Sequence, residues 1–263
     1  ISNKYGIPVV EDNAECFMST YKGKMVGSFG AMSSYSFENS KHISCGEGGI
    51  LVTDNAEYAK RARKVGGHGF KNLMADEGRV KADLDVFQNP NYKRHDTIGW
   101  NYRLSEFLSA IALAQLERID SLVDMRVKSA EIFLNAIEGC PYLIPQYTPD
   151  YSTNSYWSLG VRYLGEEKIG VSWKDFRKRY INNGGDGIYG AWSVPYMEPV
   201  MESRAFVERM PSIYENIKYG AGLCPVAEKI QSQMMVFKTN YRDSNLALKK
   251  ADALKKTIME FEK

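Results

Sequence analysis

The hydrophobic pattern of the chain changes period several times. Ile7-Pro8-Val9-Val10-Glu11-Asp12 is a short apolar run ending in two carboxylates and predicts a strand; ahead of it, Ile1-Ser2-Asn3-Lys4-Tyr5-Gly6 predicts the last turn of a helix. Residues 33–37 alternate and predict a second strand. Ile50-Leu51-Val52-Thr53 predicts a third, followed by a helix starting near Asp54. Over 105–138, Leu108, Ile111, Leu116, Ile119, Leu122, Val123, Ile132, Phe133 and Ile137 recur at helical intervals, with Gly139 and Pro141 as stop signals, so this stretch reads as a helical connector. Beyond it, residues 156–163 predict a strand. Ser172 with Asp175 opens a helix that Gly184-Gly185 closes, residues 188–195 alternate as a strand, and 243–261 is a final amphipathic helix. The polar stretch 71–96, with Asn72, Asp76, Gly78, Asn89, Pro90 and Asn91, reads either as a long loop covering a site or as a surface excursion. The fold class that follows is α/β: part of a large domain with a mixed sheet and its connecting helix over 1–138, then a small α+β domain over 139–263.

Composition narrows the function. With 44% hydrophobic and 25% charged residues, the 263-residue chain is that of an ordinary globular protein. A formal charge of +2, from 34 basic and 32 acidic residues, sets up no strong field and argues against nucleic acid as a partner. The cluster Lys60-Arg61-Arg63-Lys64 suits the carboxyl end of a helix, where cations meet the dipole. Cys16, Cys45, Cys140 and Cys224 are scattered and read as free thiols. His42, His68 and His95 do not pair at helical spacing, so no metal is expected. No apolar run is long enough to span a membrane and no signal-peptide pattern opens the chain, which fits a reducing cytoplasm.

The chemistry is carried by Lys41, in Tyr35-Ser36-Phe37-Glu38-Asn39-Ser40-Lys41-His42-Ile43-Ser44-Cys45-Gly46-Glu47-Gly48-Gly49, and by Asp12 at the end of the first strand. A lysine between a strand and a glycine turn is placed to form a Schiff base, although the same pattern also makes a solvated loop tip. Pyridoxal 5'-phosphate (PLP) needs an amine to hold its aldehyde as an imine and a carboxylate to keep its ring nitrogen protonated. Lysine suits the first task and aspartate the second. Once displaced from the imine, the amine is free to shuttle protons. Ser36 stands where its hydroxyl would reach the cofactor phosphate.

Glu11-Asp12-Asn13-Ala14-Glu15, Tyr21-Lys22-Gly23-Lys24, Gly27-Ser28-Phe29-Gly30, the Lys41 run and His68-Gly69 together resemble the DegT/DnrJ/EryC1/StrS family of PLP-dependent sugar aminotransferases. Ile98-Gly99-Trp100-Asn101-Tyr102-Arg103-Leu104-Ser105-Glu106 and Ala110-Ile111-Ala112-Leu113-Ala114-Gln115-Leu116 are similar to its second signature. The resemblance implies a fold-type-I transferase in which Lys41 holds the cofactor as an imine, Asp12 pairs with the pyridine nitrogen and Ser36 binds phosphate. It also implies that Asn101 reaches the phosphate of a neighbouring subunit, hence a homodimer with a shared active site. Glu15 stands where the family commonly carries Gln against the cofactor ring. A carboxylate cannot donate as an amide does, so either it is protonated or its contact differs.

The chain starts mid-domain on this reading. The resemblance implies a preceding portion with further strands, an aromatic stacked on the cofactor ring and backbone amides for the phosphate. It further implies transfer of an amino group, from an amino-acid donor such as glutamate, to a nucleotide-linked keto-deoxysugar that feeds surface polysaccharide or a glycosylated metabolite. One branch of the family carries His in place of the lysine and performs a 3-dehydration; Lys41 followed by His42 favours transamination, and His42 is expected at the mouth of the site. A sugar-nucleotide-binding homologue without chemistry is the third reading. Tyr189, Trp192 and Tyr196 are candidates for the substrate wall, although such aromatics are more often core than ligand contacts. Met234-Met235 reads as packing.

Overall fold

A computed structural model describes residues 1–204 and 206–262. The chain divides into two compact units, Ile1–Asp124 with Thr148–Trp157 and Met125–Tyr147 with Ser158–Lys263. In chain order the elements begin α1 (Ser2–Tyr5), β1 (Val10–Asp12), β2 (Thr20–Tyr21), β3 (Lys24–Met25), β4 (Met32–Ser36), β5 (Gly49–Val52), α2 (Ala56–Gly66), α3 (Leu84–Gln88), α4 (Glu106–Leu116) and α5 (Ile119–Ile137). They continue β6 (Leu143–Pro145), β7 (Ser152–Thr153), β8 (Ser158–Tyr163), α6 (Gly165–Ile169), α7 (Trp173–Asn182), β9 (Tyr189–Gly190), α8 (Pro199–Glu202), α9 (Pro211–Tyr214), α10 (Pro225–Gln231), β10 (Met234–Lys238) and α11 (Ser244–Phe261).

In the first unit, β1 runs parallel to β4 in the register Val10↔Met32, Glu11↔Ser33, Asp12↔Ser34, and β4 pairs antiparallel with β5. Side chains alternate across a sheet, so Asp12, Ser34 and Ser36 share one face while Glu11, Ser33 and Tyr35 share the other. On that second face the Glu11 carboxylate accepts the backbone N–H groups of Gly27 (2.7 Å), Phe29 (2.7 Å) and Gly30 (2.5 Å). A second sheet, β3-β2-β7, ties residues 20–25 to 152–153. Nothing in the sequence announced it, because two-residue strands carry no period. α2 is opened by Asn55, whose side chain accepts from Tyr58 N at 3.1 Å, and carries Arg63 and Lys64 in its last turn. Lys64 pairs there with Asp96.

Three expectations are revised. The connector is two helices, not one, interrupted at residues 117–118. The strand expected over 188–195 shrinks to β9, whose ladder with β10 holds only Gly190↔Met235 and Tyr189↔Val236. The stretch 71–96 is not structureless: it contains α3, and Arg94 pins it by donating to Phe87 O (2.8 Å) and Tyr92 O (3.4 Å) while its own carbonyl accepts from Lys71 N.

The second unit is built on the antiparallel sheet β6-β8-β10-β9. Leu159, Val161 and Tyr163 of β8 and Met235 and Phe237 of β10 alternate inward, meeting Phe176 and Tyr180 of α7 and Leu254 of α11 in a continuous apolar core. Ser172 caps α7 by accepting from Asp175 N (3.1 Å), with the Asp175 carboxylate accepting the Ser172 hydroxyl (2.6 Å). Asp243 caps α11.

Two outcomes follow. Leu159 is fully buried and Leu248 about half exposed. Leu159→Ala is expected to lower stability by about 3 kcal/mol in denaturant titration, against about 0.5 kcal/mol or less for Leu248→Ala. Burial pushes the Glu11 carboxyl up, but the N–H groups of Gly30, Gly27 and Phe29, with Lys24, outweigh it and leave the group below the ordinary carboxylate value. A lowered folded-state value contributes stability that is present above the unfolded value and lost as pH falls through the folded one. Glu11→Gln is therefore expected to cost about 1–2 kcal/mol at neutral pH, and thermal melts should show its deficit against wild type shrinking below about pH 4.

Candidate active site

β1 and the first half of β4 deliver their carboxyl ends side by side, the position at which parallel sheets hold ligands. Asp12 is exposed there and its carboxylate accepts Ala14 N at 3.1 Å, which turns the chain back towards Glu15. Ser36 ends β4 on the same face, its Oγ accepting Glu38 N at 3.2 Å and leaving its own O–H to donate. The turn that follows is closed by Lys41 N donating to Glu38 O (3.1 Å), Phe37 N to Gly48 O (2.8 Å) and Cys45 N to Phe37 O (3.1 Å).

Lys41 projects from that turn into an ion pair with Glu15, Nζ to Oε1 2.7 Å, with 14% of the lysine side chain and 50% of the glutamate exposed. Its ammonium also stands 4.6 Å from the centre of the Trp157 ring, whose Nε1 donates to Ser40 O at 2.8 Å. A cation over an indole face is worth about 0.5–2 kcal/mol, so carboxylate and ring together fix where the amine points. Glu15 thus meets Lys41 as an ion pair, its carboxylate accepting from the ammonium with a negative charge that an amide in its place would lack. The sequence pattern places Trp157 only in a strand, and its partnership with a turn far away along the chain carries no local signal.

His42, expected at the mouth of the site, is instead interior, 5% exposed, with Nε2 3.0 Å from Ser155 O and its ring 5.8 Å from that of Phe17. Ser155 in turn holds Ser19, Oγ to Oγ 2.9 Å, so the histidine belongs to the seam between 19–42 and 151–157. Asn101 lies elsewhere in the first unit, on the backbone clamped against the end of α2. There it forms an antiparallel bridge with Gly67 and its Oδ1 accepts from Arg103 Nε at 3.1 Å. A cavity of about 640 Å3 opens beside this second cluster, lined by Ile50, Val52 and Leu73 together with Arg63, Arg79 and Arg103 among others.

Tyr189, Trp192 and Tyr196 belong to the other unit. Tyr189 and Trp192 are exposed, Trp192 by 91%. Tyr196 is committed locally, donating to Glu228 Oε1 (2.6 Å) and accepting from Cys224 N (3.0 Å); burial and the Glu228 bond push its phenol up to about 12. Cys16, Cys45, Cys140 and Cys224 are all free thiols. Among the described residues no group of three or more His, Cys, Asp or Glu is placed to hold a metal ion, and no helix is long and apolar enough to cross a membrane.

Solved structures similar to this chain include Helicobacter pylori PseC, an aminotransferase involved in the biosynthesis of pseudoaminic acid, at 18% identity and TM-score 0.73 over 99% of this chain and 62% of that one. DesV of S. venezuelae, in complex with a ketimine intermediate, superposes at TM-score 0.75 with 22% identity, over 98% of this chain and 59% of its own. The E. coli GDP-4-keto-6-deoxy-D-mannose-3-dehydratase with bound hydrated PLP gives TM-score 0.72 and 23% identity over 98% and 61%. This chain therefore spans about three-fifths of the length of each, and at these identities the likeness is one of fold: a fold-type-I α/β transferase architecture. The model of the DegT/DnrJ/EryC1/StrS aminotransferase family matches residues 1–242. With a mixed sheet, a carboxylate at the end of β1, an amine in the turn after β4, and that match over nearly its whole length, the chain belongs to the DegT/DnrJ/EryC1/StrS aminotransferase family.

Proposed function

We propose that this chain is the greater part of a PLP-dependent aminotransferase that moves an amino group from an amino-acid donor such as glutamate to a nucleotide-linked keto-deoxysugar. The single observation that carries the reading is the tethering of Lys41 Nζ by Glu15 and the Trp157 face, in the turn that follows the strand bearing Ser36 and pairing with the strand that ends at Asp12. PLP is the cofactor of the family, and the donor set fits it. One amine is presented out of a turn, one exposed carboxylate ends a parallel strand, and one hydroxyl on the same face as that carboxylate keeps its proton to donate.

When bound, the cofactor supplies an aldehyde that exchanges between amines and a ring that draws electrons from the carbon bearing the amine. Lys41 would be the amine that holds the cofactor, and its Nζ, once free, would be the group that takes the proton from the α-carbon of the donor and supplies one to the sugar carbon that receives nitrogen. Asp12 would accept the N–H of the pyridine ring and keep it protonated. Ser36 Oγ donates to the phosphate. Glu15 steers Lys41 between these tasks, because its carboxylate accepts from the ammonium whenever the amine is not engaged. Tyr189 and Trp192 are proposed as sugar-facing aromatics, Asn101 as a phosphate ligand to a second copy in a homodimer, and the cytoplasm as the compartment. Lys41, with no histidine in its place, favours amino transfer over 3-dehydration.

In the full-length gene product, PLP is expected to give a visible absorption band that glutamate bleaches to the amine form of the cofactor. Lys41→Ala should lose the wild-type band and slow the glutamate half-reaction by at least about 100-fold. A wild type without the band overturns the reading.

A further inference from the structure

Asn101 owes its presentation to two side chains that the reading above leaves without a task. Its backbone is clamped to the carboxyl end of α2: Trp100 N donates to Val65 O (2.7 Å), Tyr102 N to Gly66 O (2.8 Å) and His68 N to Trp100 O (2.8 Å). The side chain is then fixed by Arg103, whose Nε donates to Asn101 Oδ1 at 3.1 Å while its Nη2 lies 3.2 Å from His68 Nε2. A guanidinium can only donate. The amide atom facing it is therefore the carbonyl oxygen, and the two N–H groups of Nδ2 are turned away from it. By the same rule His68 Nε2 accepts, which places the proton of the neutral ring on Nδ1. His68 holds this pose from a left-handed backbone, φ 63°, an unusual and strained conformation for a residue other than glycine. Among the described residues neither N–H of Asn101 Nδ2 has a partner, so the pair offers donors alone, and donors alone suit an oxyanion.

We propose that Arg103 is a positioning residue, braced by His68, that fixes the Asn101 amide with its NH2 outward so that this loop binds a phosphate monoester. The inference rests on the proposed PLP function and sharpens it, because it makes affinity for the cofactor phosphate depend on a side chain that need not touch it. Rotation of the amide by half a turn would present a carbonyl oxygen to the anion; Arg103 makes that orientation the costly one, since two donors would then face each other.

The test is a set of dissociation constants for PLP and for pyridoxal, which lacks the phosphate, read from the visible band and protein fluorescence of the full-length protein. Arg103→Leu is expected to weaken PLP roughly tenfold and to leave pyridoxal binding unchanged. Arg103→Lys, which still donates towards Oδ1, should recover most of the loss and keeps the proposal testable if the leucine variant does not fold. Once Asn101→Ala is present, adding Arg103→Leu should cost nothing more. Equal weakening of PLP and pyridoxal, or full additivity in the double variant, overturns the positioning role. PLP binding by wild type with Arg103→Leu unaffected overturns this inference alone, whereas a wild type that binds no PLP overturns it together with the reading beneath it.

Discussion

The parallel pairing of β1 with β4 is the constraint from which the candidate site follows. Its register sets Asp12 against Ser34 and leaves Ser36 one pleat further along the same face, so acid and hydroxyl arrive together without any side chain choosing to meet another. A slip of one residue would send Asp12 to the face now occupied by Glu11 and Tyr35. Glu11 resists that slip: its carboxylate is held by three backbone N–H groups of the turn at 27–30, and a slip would break all three bonds. Strand alternation and one buffered carboxylate thus do together what neither would do alone.

Lys41 is held by a different logic. It is not on a strand, and its direction comes from charge: Glu15 on one side and the Trp157 face on the other. Both contacts can be exchanged without unfolding anything, since half of the Glu15 side chain is exposed and the Trp157 ring keeps its own hydrogen bond to Ser40. A rigid sheet end beside a tethered, releasable amine is a division of labour suited to a residue that must stay in place when resting and move when displaced.

The sequence disclosed most where local rules act. The helix start near Asp54, the Ser172–Asp175 opening of α7, the final helix from 243, the alternation of β4, the strand at β8 and the lysine turn were legible because each depends on neighbours within a few positions. Long-range pairings were not. The β2–β7 ladder, the burial of His42 under Ser155 and the Trp157 contact join segments more than a hundred residues apart, and no period or motif encodes such meetings. The break at 117–118 was hidden for a subtler reason: no glycine or proline stands there, and the apolar spacing runs on through it. Glu15 was legible as a departure from the family pattern, but only its geometry shows that the carboxylate serves the lysine.

The turn at 27–30 carries a consequence for how the gene can drift. Glu11 reads only main-chain N–H groups there, so the side chains of Ser28 and Phe29 are irrelevant to its grip. Gly27 and Gly30 are not interchangeable with anything larger: a Cβ would sit 2.0 Å from the Tyr35 hydroxyl at the first, which also holds φ 89°, and 2.6 Å from the Val9 carbonyl at the second. The two middle positions answer to other partners, Ser28 Oγ donating to Met25 O and the Phe29 ring meeting Tyr21 and the Lys24 ammonium, so a population of sequences diverging from this one would keep the glycines as fixed points for Glu11 while its middle positions drift only together with residues 21–25.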